Sequence, residues 1–231
     1  MQIKKGVTGV VFRFVNDKPI FLLLHRVLNW QGFEFPKGGV EFGEAHDKAV
    51  LREISEETGL KDAVIVCQLA SGIEWLKKEN KYVYDGFLVQ AFSKDVSLHQ
   101  EVMEHDDFKW VNAGEAKKLL THKENKMLLA KAVKFLKSNP FKQVHLVLSG
   151  RVQGVFFRAF VQKAAREIGG ITGHVKNLPA GEVGILAEGP KKNLVEFVKK
   201  AKKGPALSKV EKATVEWGKP SHSFARFEIV R

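Results

Sequence analysis

Three glutamates at i, i+3 and i+4 spacing are the sequence's clearest candidates for chemistry. Glu53, Glu56 and Glu57 would project from one face of a helix, within a few ångströms of one another. Such crowding of negative charge destabilises a helix unless a cation offsets it, and Mg²⁺ characteristically joins a few carboxylates to substrate phosphates. Arg52 stands one turn before Glu56 and is placed to pair with it. A solvated acidic face is the alternative interpretation of the glutamates alone.

The residues around this helix favour the metal site. The order is Gly38, five residues, Glu44, seven residues, and then REISEETGL at 52–60. At every fixed position this order resembles the signature of the Nudix hydrolase family. We expect Gly38 and Gly39 to let the backbone turn tightly and approach a metal, and Gly59 to end the helix.

The Nudix resemblance covers roughly residues 3–137 and implies an α/β/α sandwich with a mixed sheet, which hydrolyses a nucleoside diphosphate linked to another group. Its implied cofactor is Mg²⁺ or Mn²⁺. Family members usually need a further carboxylate outside the motif, to bind a metal or polarise the attacking water, and we assign it to Glu104, with Glu101 as the alternative. Glu53 and Glu104 are the expected catalytic groups. The expected metal ligands are Glu53, Glu56, Glu57, Glu104 and the Gly38 carbonyl.

A branch of the family is indicated by the segment 35–44, together with Glu104-His105, Trp110 and Glu115-Ala116. These resemble the dinucleoside polyphosphate hydrolases, in which Lys37 would meet a phosphate as a point charge. That branch commonly has histidine where this chain has Gly39, so capped or triphosphorylated RNA ends and nucleotide sugars stay open as substrates. Ordinary strand packing is the alternative for the aromatic residues expected to stack on a base: Tyr82, Tyr84 and Phe87.

A second candidate site is the segment SGRVQGVFFR at 149–158, which we call the phosphate loop. A glycine-bearing turn from strand to helix aims backbone N–H groups at one point, and the helix N-terminus adds positive potential. Arg158, in the first turn of that helix, can grip two phosphate oxygens with its planar guanidinium. Glycine-containing turns are common, so an ordinary structural turn is the alternative.

A second segment, GITGHVKNLPAGEV at 170–183, extends this pattern. With the phosphate loop it resembles acylphosphatase, over about residues 142–231. The resemblance implies that Arg158 binds the phosphoryl group, that Asn177 orients the attacking water, and that no metal is required. An acyl phosphate already carries a good leaving group, so positioning and charge stabilisation suffice. The expected phosphate-binding residues are Gln153, Gly154, Val155, Phe156, Phe157 and Arg158.

Hydrophobic periodicity places the two motifs on separate domains, 1–138 and 139–231. The break falls at Ser138-Asn139-Pro140, because proline cannot continue the preceding helical pattern. In the second domain the order of strand, helix, two strands, helix and strand, with a last short strand, predicts a ferredoxin-like βαββαβ sandwich. In the first domain we expect strands at 7–15, 20–25, 63–69 and 82–92, a helix at 45–58, and two helical stretches within 115–137.

Composition predicts a soluble, cytoplasmic protein without a membrane partner. The single cysteine, Cys67, excludes disulfides within the chain. No apolar run approaches the roughly 20 residues of a membrane span. Lys4-Lys5 precedes only a short, interrupted apolar stretch, unlike a signal peptide.

Charge is distributed unevenly along the chain. Residues 139–231 contain 17 Lys and Arg against 7 Asp and Glu, a net charge of +10, whereas residues 1–138 carry a net charge of only +2. A basic domain suits anionic ligands. The leading hypothesis is a bifunctional hydrolase, acting on a nucleoside polyphosphate and on acyl phosphates. The alternative keeps the Nudix activity, directed at RNA 5′ ends or nucleotides, and makes the basic domain a docking module for RNA or another polyanion; RNA is possible but not required.

Overall fold

Two units, divided between Phe135 and Leu136, make up the computed structural model of the chain. The structure describes residues 2–77, 79–98 and 104–231. Each unit has one sheet and its own helices. Within the described ranges, no helix is long and apolar enough to cross a membrane.

The sheet of the first unit is mixed. Its order is β3-β2-β1-β6-β5, with β4 also paired to β1 and β7 to β2. The central pair β1 and β6 is parallel, and the other pairs are antiparallel. The strands are β1 (Gln2–Val15), β2 (Lys18–Arg26), β3 (Gly32–Glu34), β4 (Lys37–Gly39), β5 (Val64–Lys77), β6 (Asn80–Gln90) and β7 (His105–Val111).

Three helices accompany this sheet: α1 (His46–Thr58), α2 (Ala113–Leu119) and α3 (Lys123–Ser138). Gly59 ends α1 in the left-handed conformation, with φ of 71°, and its N–H donates to the carbonyl of Ser55. The predictions for this helix and for its C-terminal cap are therefore confirmed. The expected interruption of the last helical pattern near Thr121-His122 is also confirmed, because α3 begins one residue later.

The helices cover both faces of the sheet, as an α/β/α sandwich requires. On one face Ile54 of α1 is fully buried and lies against Gly9 of β1. On the other face Leu128 of α3 packs so closely on Gly86 of β6 that a β-carbon there would lie 2.4 Å from its Cδ2. Burying each such aliphatic side chain contributes about 1.5–3 kcal/mol. The sheet is thus fixed on both sides, and α1 carries the clustered glutamates.

The second unit, all of whose residues are described, has the predicted ferredoxin-like order. The sheet runs β11-β8-β10-β9-β12, and its core packs on both helices through Val161, Leu194 and Phe197. Only β12 pairs in parallel, with β9. Its elements are β8 (Phe141–Arg151), α4 (Phe157–Ile168), β9 (Thr172–Asn177), β10 (Val183–Pro190), α5 (Lys191–Lys203), β11 (Lys209–Gly218) and β12 (Phe227–Ile229).

One buried carboxylate holds an irregular segment of this unit. Glu188 of β10 is 3% exposed, and its oxygens accept hydrogen bonds from the Gln143 side chain at 2.7 Å and from the backbone N–H groups of Ser221 and His222 at 2.6 and 2.9 Å. The segment 219–226, which joins β11 to β12, has no regular secondary structure. A buried side chain therefore helps to set the position of this segment, together with the backbone hydrogen bond from Gly173 of β9 to the Arg226 carbonyl at 2.9 Å.

Candidate active sites

The first candidate site begins where β4 meets α1. Gly38 pairs with Val7 of β1, and a β-carbon at position 38 would lie 1.9 Å from the carboxylate carbon of Glu53. Neither Gly38 nor Gly39 has a positive φ, so the expectation that both permit a tight turn is wrong. Glycine is required at position 38 because the carboxylate of Glu53 occupies the space of a side chain.

Arg52 joins the acidic groups on the exposed side of α1. Its Nε and Nη2 each donate to Glu44 at 3.0 Å, its Nη1 donates to Glu53 and Glu56 at 2.9 Å, and its Nη2 also reaches the Gly39 carbonyl at 2.8 Å. The predicted pairing of Arg52 with Glu56 is confirmed. The hydrogen bonds from Arg52 lower the pKa of Glu44. One guanidinium thus offsets repulsion among three carboxylates.

Glu57 is the most enclosed of the clustered glutamates, at 8% exposed. Its Oε2 accepts a hydrogen bond from the backbone N–H of Lys37 at 3.0 Å. Burial raises the pKa of Glu57 to about 8 and also raises the pKa of Glu53. A carboxylate whose charge is costly in its surroundings is one that a bound cation would stabilise.

The structure brings two further donors to Glu57. Donor atoms of Glu57, Glu104 and His105 all lie within 4.8 Å of one another, and the Nδ1 of His105 is 3.9 Å from the Oε1 of Glu57. Burial, followed by nearby cations, lowers the pKa of His105 to about 4, so its imidazole is neutral near pH 7. The two carboxylates are the oxygen ligands that Mg²⁺ and Mn²⁺ prefer, and the neutral imidazole adds a nitrogen donor beside them. Glu101, the alternative carboxylate, lies outside the described residues.

A buried ion-pair network beside this group was not anticipated. Arg26 Nη1 donates to Glu34 Oε1 at 3.0 Å and lies 3.1 Å from Glu104 Oε2. Glu34 is fully buried and also pairs with Lys37 and with His105 Nε2, the latter at 3.3 Å. The network fixes the directions of Glu104 and Lys37. The sequence gives one sign of this network, which is a glutamate between two phenylalanines. A charged residue in such an apolar strand can be buried if it is paired.

Next to these groups lies a cleft of about 890 Å³, which we call the aromatic cleft. One wall carries Tyr82, Tyr84 and Trp75; the rings of Trp75 and Tyr82 are almost parallel, at 4°, with centroids 5.4 Å apart. The structure therefore brings Tyr82 and Tyr84 to the cleft. It does not bring Phe87, which packs in the core beside Val50, because strand side chains alternate between the two faces.

A second group of aromatic residues, which the sequence analysis did not select, also lines the aromatic cleft. Trp30 packs edge-on to His122, with centroids 4.5 Å apart, and the Nζ of Lys37 lies 5.9 Å from the centroid of the Trp30 ring. Both rings line the same cleft as Tyr82. Lys37 and Glu104 also line it, so the cleft joins the acidic group to two groups of aromatic side chains.

The second candidate site is a cavity of about 300 Å³ formed by the phosphate loop, the start of α4, Asn177 and Ile229. Val155 and Phe157 are buried in the core, so they offer only backbone groups to a ligand. The first hydrogen bond of α4 runs from the N–H of Phe160 to the carbonyl of Phe156, so the N–H groups that precede it have no partner within the helix.

The predicted catalytic pair of this unit meets at that cavity. Arg158 and Asn177 both line it, although they come from α4 and from the end of β9. The Gln153 side chain donates to the carbonyls of Leu178 and Glu182 at 3.1 and 2.7 Å, so it ties the phosphate loop to the connection after β9. His174, three residues before Asn177 in β9, packs edge-on to Phe224 and does not line the cavity.

Known proteins resemble each unit separately. A family model described as NUDIX domain matches residues 4–132, and one described as Acylphosphatase matches residues 144–229. An acylphosphatase from Thermus thermophilus is 50% identical over 72 residues, which are 31% of this chain and 81% of that protein. One from Methanococcoides burtonii is 42% identical over 86 residues, or 37% of this chain and 88% of that protein. A solved complex of an Ap4A hydrolase from C. elegans is 27% identical, with a TM-score of 0.53, and covers 58% of this chain and 98% of that one.

These matches agree with the two sheets and with the side chains assembled at their edges. The first unit has the Nudix fold and the second has the ferredoxin-like fold of acylphosphatases. The chain belongs to the Nudix family over its first unit and to the acylphosphatase family over its second, and is a bifunctional hydrolase that acts on acid anhydrides.

Proposed function

We propose that the first unit hydrolyses a nucleoside polyphosphate of the dinucleoside tetraphosphate type, with Mg²⁺ or Mn²⁺ as cofactor. The observation that carries this proposal is the aromatic cleft, which joins the acidic group to two separate groups of aromatic rings. A polyphosphate that bears a nucleoside at each end needs that combination of charge and stacking surface. Similarity to the Ap4A hydrolase supports the same substrate class.

The residues that would hold the metal are Glu53, Glu56, Glu57 and Glu104, with the Gly38 carbonyl and His105 as further donors. When bound, the ion would offset phosphate charge and lower the pKa of a coordinated water. The fit rests on the donor atoms of Glu57, Glu104 and His105, which lie within 4.8 Å of one another, and on the raised pKa of Glu57.

The chain's own residues bind and orient the substrate. Lys37 meets a phosphate oxygen, and Tyr82 and Tyr84, with Trp75, stack on a base. Arg26 holds Glu104, which accepts the proton of the attacking water, with Glu53 as the second acidic group of the reaction. The water oxygen bonds to phosphorus, the bridging P–O bond breaks, and the bridging oxygen leaves with one of the two nucleotides.

A substrate comparison tests this assignment. The purified chain would be given diadenosine tetraphosphate, capped RNA, triphosphorylated RNA and a nucleotide sugar, each with Mg²⁺, with Mn²⁺ and with EDTA. We expect diadenosine tetraphosphate to be hydrolysed with the highest kcat/KM, and all activity to cease in EDTA. A Tyr82→Leu variant should raise KM for this substrate without a matching loss of kcat. A preference for RNA ends, or full activity in EDTA, would contradict the proposal.

For the second unit we propose hydrolysis of acyl phosphates without a metal. The observation that carries it is that Arg158 and Asn177, from different elements, line one cavity with the phosphate loop. Arg158 and the N–H groups at the start of α4 bind the phosphoryl oxygens, and Asn177 orients a water. The water oxygen bonds to phosphorus, the P–O bond to the acyl group breaks, and a carboxylate leaves. Such a leaving group needs no strong acid to assist it.

The test is the rate of phosphate release from an acyl phosphate in excess EDTA. We expect turnover to be the same with and without Mg²⁺, and inorganic phosphate to inhibit competitively. The assignment would be contradicted if turnover required a metal, or if the intact, folded chain showed no turnover.

The lysines of α5 favour a second candidate for this unit, the docking of RNA or another polyanion. If this candidate is right, the affinity of the second unit for a single-stranded RNA should fall steeply as the salt concentration rises, because each phosphate contact releases counterions. Weak binding with a shallow salt slope, together with acyl phosphate hydrolysis, would exclude this candidate. The lysines concerned are Lys191, Lys192, Lys199, Lys200, Lys202 and Lys203.

A further inference from the structure

Two exposed apolar side chains border the second cavity. Phe156 is 83% exposed and Ile229 is 40% exposed, and both line the cavity with Arg158 and Asn177. Single exposed hydrophobic residues are normal on a protein surface. These two come from the phosphate loop and from β12, and they meet at a site of proposed chemistry, so their position requires an explanation.

The conformation of Phe156 shows that the fold itself does not require the ring. Its φ is 58°, in the left-handed region that glycine or asparagine adopts readily and a bulky residue does not. The ring is exposed, so no free energy of burial offsets the cost of this backbone conformation. The backbone there is fixed, since the Phe156 carbonyl accepts the first hydrogen bond of α4. The ring is therefore presented at the rim of the cavity in a defined direction.

We propose that Phe156 and Ile229 form an apolar subsite for the acyl group of the substrate, and that this unit prefers acyl phosphates with an aromatic or extended aliphatic acyl group. The inference rests on the acyl phosphate hydrolysis proposed above. The phosphoryl group is held by the phosphate loop and Arg158, in a cavity of about 300 Å³. The acyl group attached to it extends to the rim, where these side chains provide apolar surface.

The test compares benzoyl phosphate with acetyl phosphate, which share the phosphoryl group and differ in the acyl group. The variants are Phe156→Asn, which keeps a residue suited to positive φ, and Ile229→Thr, which keeps a β-branched residue in the strand. We expect the ratio of kcat/KM for benzoyl over acetyl phosphate to fall about tenfold in each variant, as in hydrophobic pockets generally. In Ile229→Thr, whose position is outside the phosphate loop, the acetyl phosphate values and the inhibition constant of inorganic phosphate should stay at those of the parent.

The control is Leu207→Asn, which removes an exposed apolar side chain of the same unit that does not line the cavity. Its ratio should equal that of the parent. Equal losses on both substrates in Ile229→Thr, or unchanged ratios in both folded variants, would overturn the subsite while leaving the hydrolysis intact. A parent chain inactive on both substrates would instead refute the proposed activity, and the subsite with it.

Discussion

The three glutamates of α1 lie within little more than one helical turn, yet their surroundings differ. The Glu56 side chain is 58% exposed and faces Arg52, whereas Glu57 is enclosed beside the Lys37 backbone. Spacing alone places them on one side of a helix, because it follows from helix geometry. It does not predict which of them is buried, since that depends on β4, which is distant in sequence.

Replacing Glu56 with glutamine should lower nucleotide hydrolysis at least ~100-fold, because outer partners of metal sites already contribute 10–100-fold. The change keeps the size of the side chain and removes a charge that hard cations need. Mn²⁺ affinity, measured by calorimetry, should fall with activity. The matched control is Glu167→Gln, another exposed glutamate, paired with Lys163 one turn before it. Parental Mn²⁺ affinity and activity in Glu56→Gln would exclude Glu56 as a ligand.

Arg158 and Asn177 should fail in different ways when they are replaced. Arg158→Lys keeps the charge but loses the planar fork, so both phosphate affinity and turnover should fall. Asn177→Ala leaves the phosphate loop intact, so inorganic phosphate should bind as in the parent while turnover drops about 100-fold or more. Acyl phosphate hydrolysis in EDTA and phosphate binding by calorimetry measure the two effects. Loss of phosphate binding in a folded Asn177→Ala protein would show that the roles are not divided in this way.

How far the site residues could be predicted depends on how local their signals are. Arg52 with Glu56, and Gly59 as a helix cap, were predictable because one helix contains them. His105, Arg26 and Trp30 were not, because they join the site through strand pairing between segments far apart in the sequence. Trp75 and Tyr82 face each other across the β5–β6 pair, and register cannot be deduced from composition.

At the scale of elements, the long strands and the helices followed from periodicity, whereas three short strands did not. β3 and β4 have 3 residues each, which is too short for an alternating pattern to be recognised. β7 contains Asp106, Asp107 and Lys109, and only one of its residues is buried. These are nonetheless the elements that position Glu34, Gly38 and His105.

The contact between β4 and α1 gives a prediction with a built-in control. Gly38→Ala would place a β-carbon within 1.9 Å of the Glu53 carboxylate, so either the strand or the side chain must move. We expect nucleotide hydrolysis to fall on the order of 100-fold, as for a misplacement of about 1 Å, and stability to fall by about 1–3 kcal/mol. Gly39→Ala adds the same atom where no other atom lies within 4 Å.

The measurements for this pair are kcat/KM on the nucleotide substrate and the midpoint of urea denaturation. Gly39→Ala should behave like the parent chain in both. If both variants keep parental activity, Glu53 does not need its observed position. If both lose activity equally, the effect comes from the flexibility of glycine in β4 rather than from the space at position 38.

At the scale of the molecule, the chain should divide into two working enzymes. We propose the boundary after Ser138, where α3 ends, which gives residues 1–138 and 139–231. The second fragment keeps Pro140, whose carbonyl accepts a hydrogen bond from Lys191 at 3.0 Å. Both fragments are above the size at which single domains usually need disulfides or metals to fold.

The fragments are checked by circular dichroism, by thermal denaturation and by the two activity assays. Each should unfold cooperatively and retain the kcat/KM of the whole chain for its own substrate. A second fragment cut at residue 141 should be less stable than the one cut at 139, since it lacks Pro140. An unfolded fragment, with the whole chain stable, would show that the units depend on each other.

The buried carboxylate of Glu188 affects how the 219–226 segment unfolds. Irregular surface segments usually open independently of the sheets they connect, at little cost in free energy. Here the backbone N–H groups of Ser221 and His222 donate hydrogen bonds to Glu188, which lies in the central strand β10. Releasing them would leave a buried charge with fewer donors, which is more costly than losing an exposed hydrogen bond. We therefore expect this segment to unfold together with β10 rather than to open on its own.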